Sequence, residues 1–171
     1  QSFSVSMKVQ DVRTKSFDSN IWVVNYNTQP YAMTLRNTNE PQYTYTKDVT
    51  VQDLKSGLVS FSIIPGNYDI TYETQHSGNN KLPNNFMDIK IVSNQQLTGT
   101  PVQLTASLED GLIILDMPVT NVKLLNTGTE FSMFNGDGFK WGYFKTFPEP
   151  MEIVLGDGGV KTLNINPFIL S

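Results

Sequence analysis

The stretch V-S-F-S-I-I-P-G-N-Y-D-I-T-Y, Val59 to Tyr72, decides the fold class. Val59, Phe61 and Ile63 alternate with polar residues up to a Pro65-Gly66 pair, and Tyr68, Ile70 and Tyr72 resume the alternation beyond it. Alternation of period two is the mark of a strand with one buried face. Pro favours the first central position of a type II turn and Gly the second, where φ is positive. A two-residue turn closed by Ile64 and Asn67 predicts a hairpin that pairs Ile63 with Tyr68, Phe61 with Ile70 and Val59 with Tyr72. All six apolar side chains then share one face.

The same grammar recurs along the chain. Phe3, Val5, Met7 and Val9 alternate with Ser4, Ser6 and Lys8, a half-buried first strand. Ile21 to Asn27, containing Trp22, is apolar on both faces and reads as a central strand. Further strands are expected over Tyr31 to Arg36, Tyr43 to Val51 and Phe86 to Val92. Val102, Leu104, Ala106 and Leu108 lead into Asp110-Gly111, a type I′ signal that predicts a second hairpin with Leu108 opposite Ile113. Its return strand, Leu112 to Leu115, is apolar on both faces and should be covered on both. Gly136-Asp137-Gly138 predicts a third hairpin, with Gly138 left-handed, Met133 opposite Trp141 and Phe131 opposite Tyr143. Met151 to Leu155 and Val160 to Ile165 close the chain around Gly156 to Gly159. No 11-residue window carries a helical stripe. The expected fold is all-β: tandem antiparallel sandwiches over 1–97 and 98–171, divided at the polar stretch Ser93 to Thr100. One continuous β domain is the alternative, since the shorter second part is marginal as an independent core.

Composition narrows the function. The 171 residues carry a net charge of −4 and scattered basic residues, which argues against nucleic acid, whose phosphates need clustered Lys and Arg. With no cysteine there is no disulfide, thiolate-ligated zinc or cysteine nucleophile. No apolar run reaches the length of a membrane-spanning helix. Asn-x-Ser/Thr sequons are absent. The chain begins at Gln1, which reads as a mature or trimmed form, with any signal peptide or lipid-anchoring cysteine upstream.

No catalytic constellation emerges. His76, the one histidine, sits in Q-H-S-G-N-N and reads as an exposed loop residue, and no serine stands in a nucleophile motif. Glu109, Asp110, Asp137 and Asp157 occupy expected turns, where Asp serves the backbone. Asp116 lies in an apolar strand, and facing outward near a strand end explains it. No metal site and no cofactor is expected. The aromatic residues are the candidate ligand contacts. Trp141 and Tyr143 share a strand face near Phe139, Phe144 and Phe147, and Tyr31, Tyr43 and Tyr45 form a second group. Exposed rings of this kind stack on sugars, whereas buried ones simply fill a sandwich core.

Several of these segments occur in a familiar order: F-S-V-S-M-K-V-Q-D-V-R-T-K-S from Phe3, I-W-V-V-N-Y-N from Ile21, the Val59–Tyr72 stretch, D-G-L-I-I-L-D-M from Asp110, W-G-Y-F-K-T-F from Trp141 and M-E-I-V-L-G-D-G from Met151. Together they resemble the fimbrillin-like surface lipoproteins of Bacteroidetes-type bacteria, in which a T-K or T-R element follows the first strand and a P-G-x-Y hairpin ends the first sheet. The resemblance implies transthyretin-like or immunoglobulin-like sandwiches. It also implies a secreted, non-enzymatic protein at the outer membrane or cell surface, held there through a lipid anchor. Its role would be adhesion or fimbrial assembly. Its partners would be other surface or fimbrial subunits, or a host or glycan ligand. The alternative from the residues is a carbohydrate-binding module of a glycan-uptake system. Assembly by strand exchange would engage Gln1 to Val9 or Leu163 to Ser171.

Overall fold

A computed structural model describes residues 2–9, 25–76, 82–115, 119–136, 138–145, 151–155 and 158–163. Trp22, Asp116, Asp137, Phe147, the Gly156-Asp157 pair and the segment after Leu163 lie outside the described residues, as do the expectations attached to them. The described chain is all-β apart from one short helix. In order it runs β1 (Ser2–Val9), β2 (Tyr31–Asn37), β3 (Thr44–Val49), α1 (Val51–Lys55), β4 (Val59–Ser62), β5 (Gly66–Glu73), β6 (Ile89–Leu97) and β7 (Val102–Leu108). It continues with β8 (Gly111–Leu115), β9 (Val119–Leu124), β10 (Glu130–Phe131), β11 (Phe134–Asn135), β12 (Lys140–Phe144), β13 (Met151–Leu155) and β14 (Val160–Leu163).

The first seven strands make one sheet in the order β3-β2-β5-β6-β7-β1-β4. β6 meets β7 through a short antiparallel pairing, Ile89–Leu108 and Lys90–Ser107. The sheet curls until its two edges face each other. Lys47 on β3 donates to the Ser60 carbonyl on β4 and lies 5.0 Å from the Phe61 ring centroid. A lysine on an edge strand also discourages pairing with a foreign strand.

Val59 to Tyr72 therefore spans the core rather than forming a hairpin. β4 pairs with β1, whereas β5 pairs with β2 and β6. All six alternating residues are buried, at most 5% exposed, and they meet across the core from opposite walls. Gly66 is not in the left-handed region. It is needed because a Cβ there would stand 2.6 Å from Asn37 Nδ2, whose amide oxygen caps the turn at Asn39 and Glu40.

Asp110-Gly111 is likewise a crossing and not a turn. β7 pairs with β1 and β6, β8 pairs with β12, and neither Asp110 nor Gly111 has positive φ. The third hairpin forms one residue out of the expected register, with Phe134 opposite Trp141. Gly136 N–H donates to the Phe139 carbonyl, and Gly138 has φ of 77°. Phe131 instead pairs with Val122 on β9. The polar run from Ser93 to Leu97 is the second half of β6, paired with β5 as far as Gly66–Leu97. The strand expected to reach Val51 ends at Val49. Thr50 accepts from Asp53 N–H and caps α1, whose Val51 and Leu54 are buried.

Two further sheets follow, β11-β12-β8 and β10-β9-β13-β14. The three-stranded sheet is covered on both faces, as its doubly apolar sequence predicts. Leu112, Ile114, Trp141 and Tyr143 pack into the core of the seven-stranded sheet. Their neighbours Ile113, Leu115 and Phe144 face a second core with Val122, Leu124 and Met133. This sheet is a wall common to both cores. Gly142 sits in it with Pro83 and Met133 so close that an added Cβ would lie 2.6 Å from Pro83 Cβ. Gly142→Ala should therefore cost about 1–3 kcal/mol by overpacking, read as a lower urea midpoint at unchanged slope.

Candidate functional site

Strand ends from both parts of the chain converge at one end of the curled sheet. The 84–88 segment is threaded between two neighbours. Asn27 N–H donates to the Met87 carbonyl and Met87 N–H to the Asn25 carbonyl, while Asn84 exchanges both backbone hydrogen bonds with Tyr143. Asp88, at the end of this segment, is fully buried. Its Oδ1 accepts from Thr74 Oγ1 at 2.8 Å and Asn27 Nδ2 at 3.1 Å. Its Oδ2 accepts from His76 N–H at 2.9 Å and Lys145 Nζ at 3.0 Å. Asp88 N–H in turn donates to Asp110 Oδ2. Lys145 follows β12 and Asp110 precedes β8, so the cluster joins the seven-stranded sheet to the wall.

His76 is not an exposed loop residue. Its side chain is 6% exposed, with Nε2 3.4 Å from Asp110 Oδ1 and 3.5 Å from Asp88 Oδ2. Asp110 is fully buried, contrary to its expected place in a turn. The sequence carries a signal for Asp88 that is easily passed over: F-M-D-I places an acid between apolar neighbours, the same pattern that draws attention to Asp116.

The carboxyl groups differ in charge state for physical reasons. Burial alone would raise the Asp88 pKa, but the hydrogen bonds from His76, Lys145, Thr74 and Asn27 outweigh it and hold the group below its ordinary value. Burial raises Asp110, against the pull of the Asp88 N–H. Burial, reinforced by the negative charge of Glu73, pushes Glu109 up to about 7. Burial works against the Lys145 ammonium, and the carboxylates more than offset it, raising its pKa.

His76, Asp88 and Asp110 bring ligand-type atoms within 4.8 Å of one another. The set does not fit a cation: Asp88 already takes four donors, one of them an ammonium, and Asp110 takes the Asp88 N–H. Nor can an external substrate reach a carboxylate pair in which both members are wholly buried.

The surface beside this cluster is of another kind. A depression of about 390 Å³ is lined by Gln29, Gln75, Asn84 and Asn85 with Tyr31, Phe86 and His76, and by the buried Asn27, whose amide is taken up by Asp88, Tyr31 and the Gln29 N–H. A second, of about 450 Å³, shares Tyr31 and Gln75 and continues over Thr71, Lys90 and Val92 on the outer face of β5 and β6. Of the candidate aromatic residues, Tyr31 is the one at these depressions, and its hydroxyl donates to the Gln75 carbonyl. Trp141 is 8% exposed and Tyr143 not at all, packed edge to face at 5.7 Å, so neither presents a free ring face. Tyr45 packs inward against Tyr68, and Tyr43 lies half-buried beside β3, away from Tyr31. The amide residues escaped attention in the sequence because Asn and Gln in loops carry no periodic signal.

No family model matches the chain, and no curated protein sequence matches it. Two solved structures from Bacteroides are similar in shape. One, from Bacteroides thetaiotaomicron and provisionally named a polysaccharide-binding protein, is 7% identical with a TM-score of 0.47, over 95% of this chain and 80% of that one. The other, a provisionally named adhesin from Bacteroides ovatus, is 9% identical with a TM-score of 0.33, over 93% of this chain and 80% of that one.

The half-buried Glu109 carboxyl makes stability depend on pH. Its folded pKa lies above the unfolded value, so its ionisation opposes folding. That penalty is absent below about pH 4.5 and grows as pH rises through about 7. Glu109→Gln should flatten the fall in stability between pH 5 and 8, measured by urea unfolding across that range.

Proposed function

We propose that the chain is a non-enzymatic cell-surface binding protein that adheres through a neutral glycan held at the Tyr31–Gln75 depressions. The observation that carries this reading is the amide-rich lining around Tyr31 and Phe86. Asn and Gln side chains each offer an acceptor and two donors, matching the mixed donor and acceptor character of sugar hydroxyls. Aromatic residues beside them can cover the C–H surfaces of a pyranose. The second depression extends the surface beyond one sugar ring, as a polymeric ligand requires. Lys90 and Glu73 contribute opposite charges there, so an acidic polysaccharide gains little from it.

Assembly into a fimbrial polymer is the second reading, and the placement of β1 favours it. This strand lies between β7, to which it is parallel, and β4, to which it is antiparallel, so its exchange would open both pairings. The mutually facing edges β3 and β4 are poor sites for strand addition by comparison.

Titration of the purified chain with soluble neutral polysaccharides, followed by calorimetry, tests the glycan reading. Each lost hydrogen bond is worth about 1 kcal/mol, so the double substitution Gln29→Ala/Asn85→Ala should weaken binding about thirtyfold without changing the unfolding midpoint. Equal binding by the variant would overturn the assignment of the site. Concentration-dependent polymers without glycan binding would favour assembly.

A further inference from the structure

The charged cluster holds a primary amine against a carboxyl group in a place closed to external substrates, and this points to chemistry of the protein on itself. Lys145 Nζ lies 3.0 Å from Asp88 Oδ2, and Glu109 Oε2 lies 3.8 Å from the same nitrogen. Glu109 Oε2 is buried and has no hydrogen-bond partner, so it retains capacity to take a proton. Asp88 Oδ1 is held by two neutral donors, Thr74 Oγ1 and Asn27 Nδ2, placed where negative charge develops when a nucleophile adds to the carboxyl carbon. From these positions we propose that Lys145 and Asp88 form an intramolecular amide, a covalent cross-link between the seven-stranded sheet and the three-stranded wall.

The reaction balances without a co-reactant. The resting pair is ammonium and carboxylate. One proton passes from Nζ to Glu109, and the freed amine adds to Asp88 Cγ, forming the N–C bond with negative charge on Oδ1. Oδ2 receives the Glu109 proton and the second Nζ proton, the Cγ–Oδ2 bond breaks, and water leaves. Glu109 ends as it began. Its pKa of about 7 suits a group that must both accept and return a proton near neutrality. Holding the amine at the carboxyl group replaces a bimolecular encounter with an intramolecular one, a gain of many orders of magnitude in effective concentration. The charged resting state makes the step slow, so it belongs to the folded protein after synthesis. A chain without cysteine has no disulfide to tie these parts together, and this bond would do so.

Intact mass measured under denaturing conditions, after incubation of the folded protein at neutral pH, tests the proposal. The wild type should be lighter than its sequence by one water, and a protease digest should contain a branched peptide joining the segments of Asp88 and Lys145. Lys145→Arg, which keeps the charge and removes the reactive amine, should have its full sequence mass. Glu109→Gln should lose water more slowly or not at all. A wild type of full sequence mass overturns the proposal whether or not the variants fold. So does a water loss that persists in Lys145→Arg, which would mark succinimide formation at an Asp-Gly pair.

Discussion

A carboxylate wholly removed from water must be fully hydrogen-bonded or it will not stay charged, and Asp88 is the place where this fold meets that demand. Its four donors come from three separate segments: Asn27 before β2, Thr74 and His76 after β5, and Lys145 after β12. None of these is near Asp88 in sequence except through the fold. The ion pair is thus less a local bond than a junction on which several chain segments depend. A buried pair of this kind adds little net stability over an apolar replacement, yet it is costly to break by removing one partner. Its contribution is positional: it fixes where the start of β2 at Tyr31 and the segments bearing Gln75 and Asn84 can lie.

The wall of β8, β11 and β12 extends the same dependence into packing. Because successive residues of β8 and β12 point to opposite cores, neither core is complete without this sheet. Trp141 and Tyr143 are therefore committed to structure, and Tyr143 carries the backbone bridge to Asn84. Asn84 of that bridge also lines the depression. Core, charged cluster and candidate binding surface form one continuous assembly, in which the rigid part is apolar and ionic and the outward part is amide.

Alternation in the sequence makes the strands and their buried faces legible, since period two is a property of each strand alone. What alternation leaves open is which strand lies beside which. Val59–Tyr72 satisfies a hairpin and a crossing between two walls equally well, because both put the same six residues inside. A Pro-Gly or Asp-Gly pair tips that reading toward a turn. Here the glycines answer instead to close approach, as at Gly66, or begin a strand, as at Gly111. α1 escaped because five residues are too few to show helical period, although Thr50 and Asp53 mark its start. Of the candidate site, Tyr31 stands out in the sequence as one of a tyrosine group with Tyr43 and Tyr45. His76 and Asp110 were misplaced because a polar residue in a loop is ordinarily solvated. Only the convergence of distant segments buries them.

The central claim is that the Asp88 side chain, as an ion pair or once joined to Lys145, holds the seven-stranded sheet and the wall together. Urea unfolding of Asp88→Ala, followed by Trp fluorescence and far-UV circular dichroism, tests it most directly. Loss of about 3–5 kcal/mol, with the two probes still coinciding in one transition, is the predicted result. A loss below about 1 kcal/mol, the range of an exposed ion pair, would contradict the account.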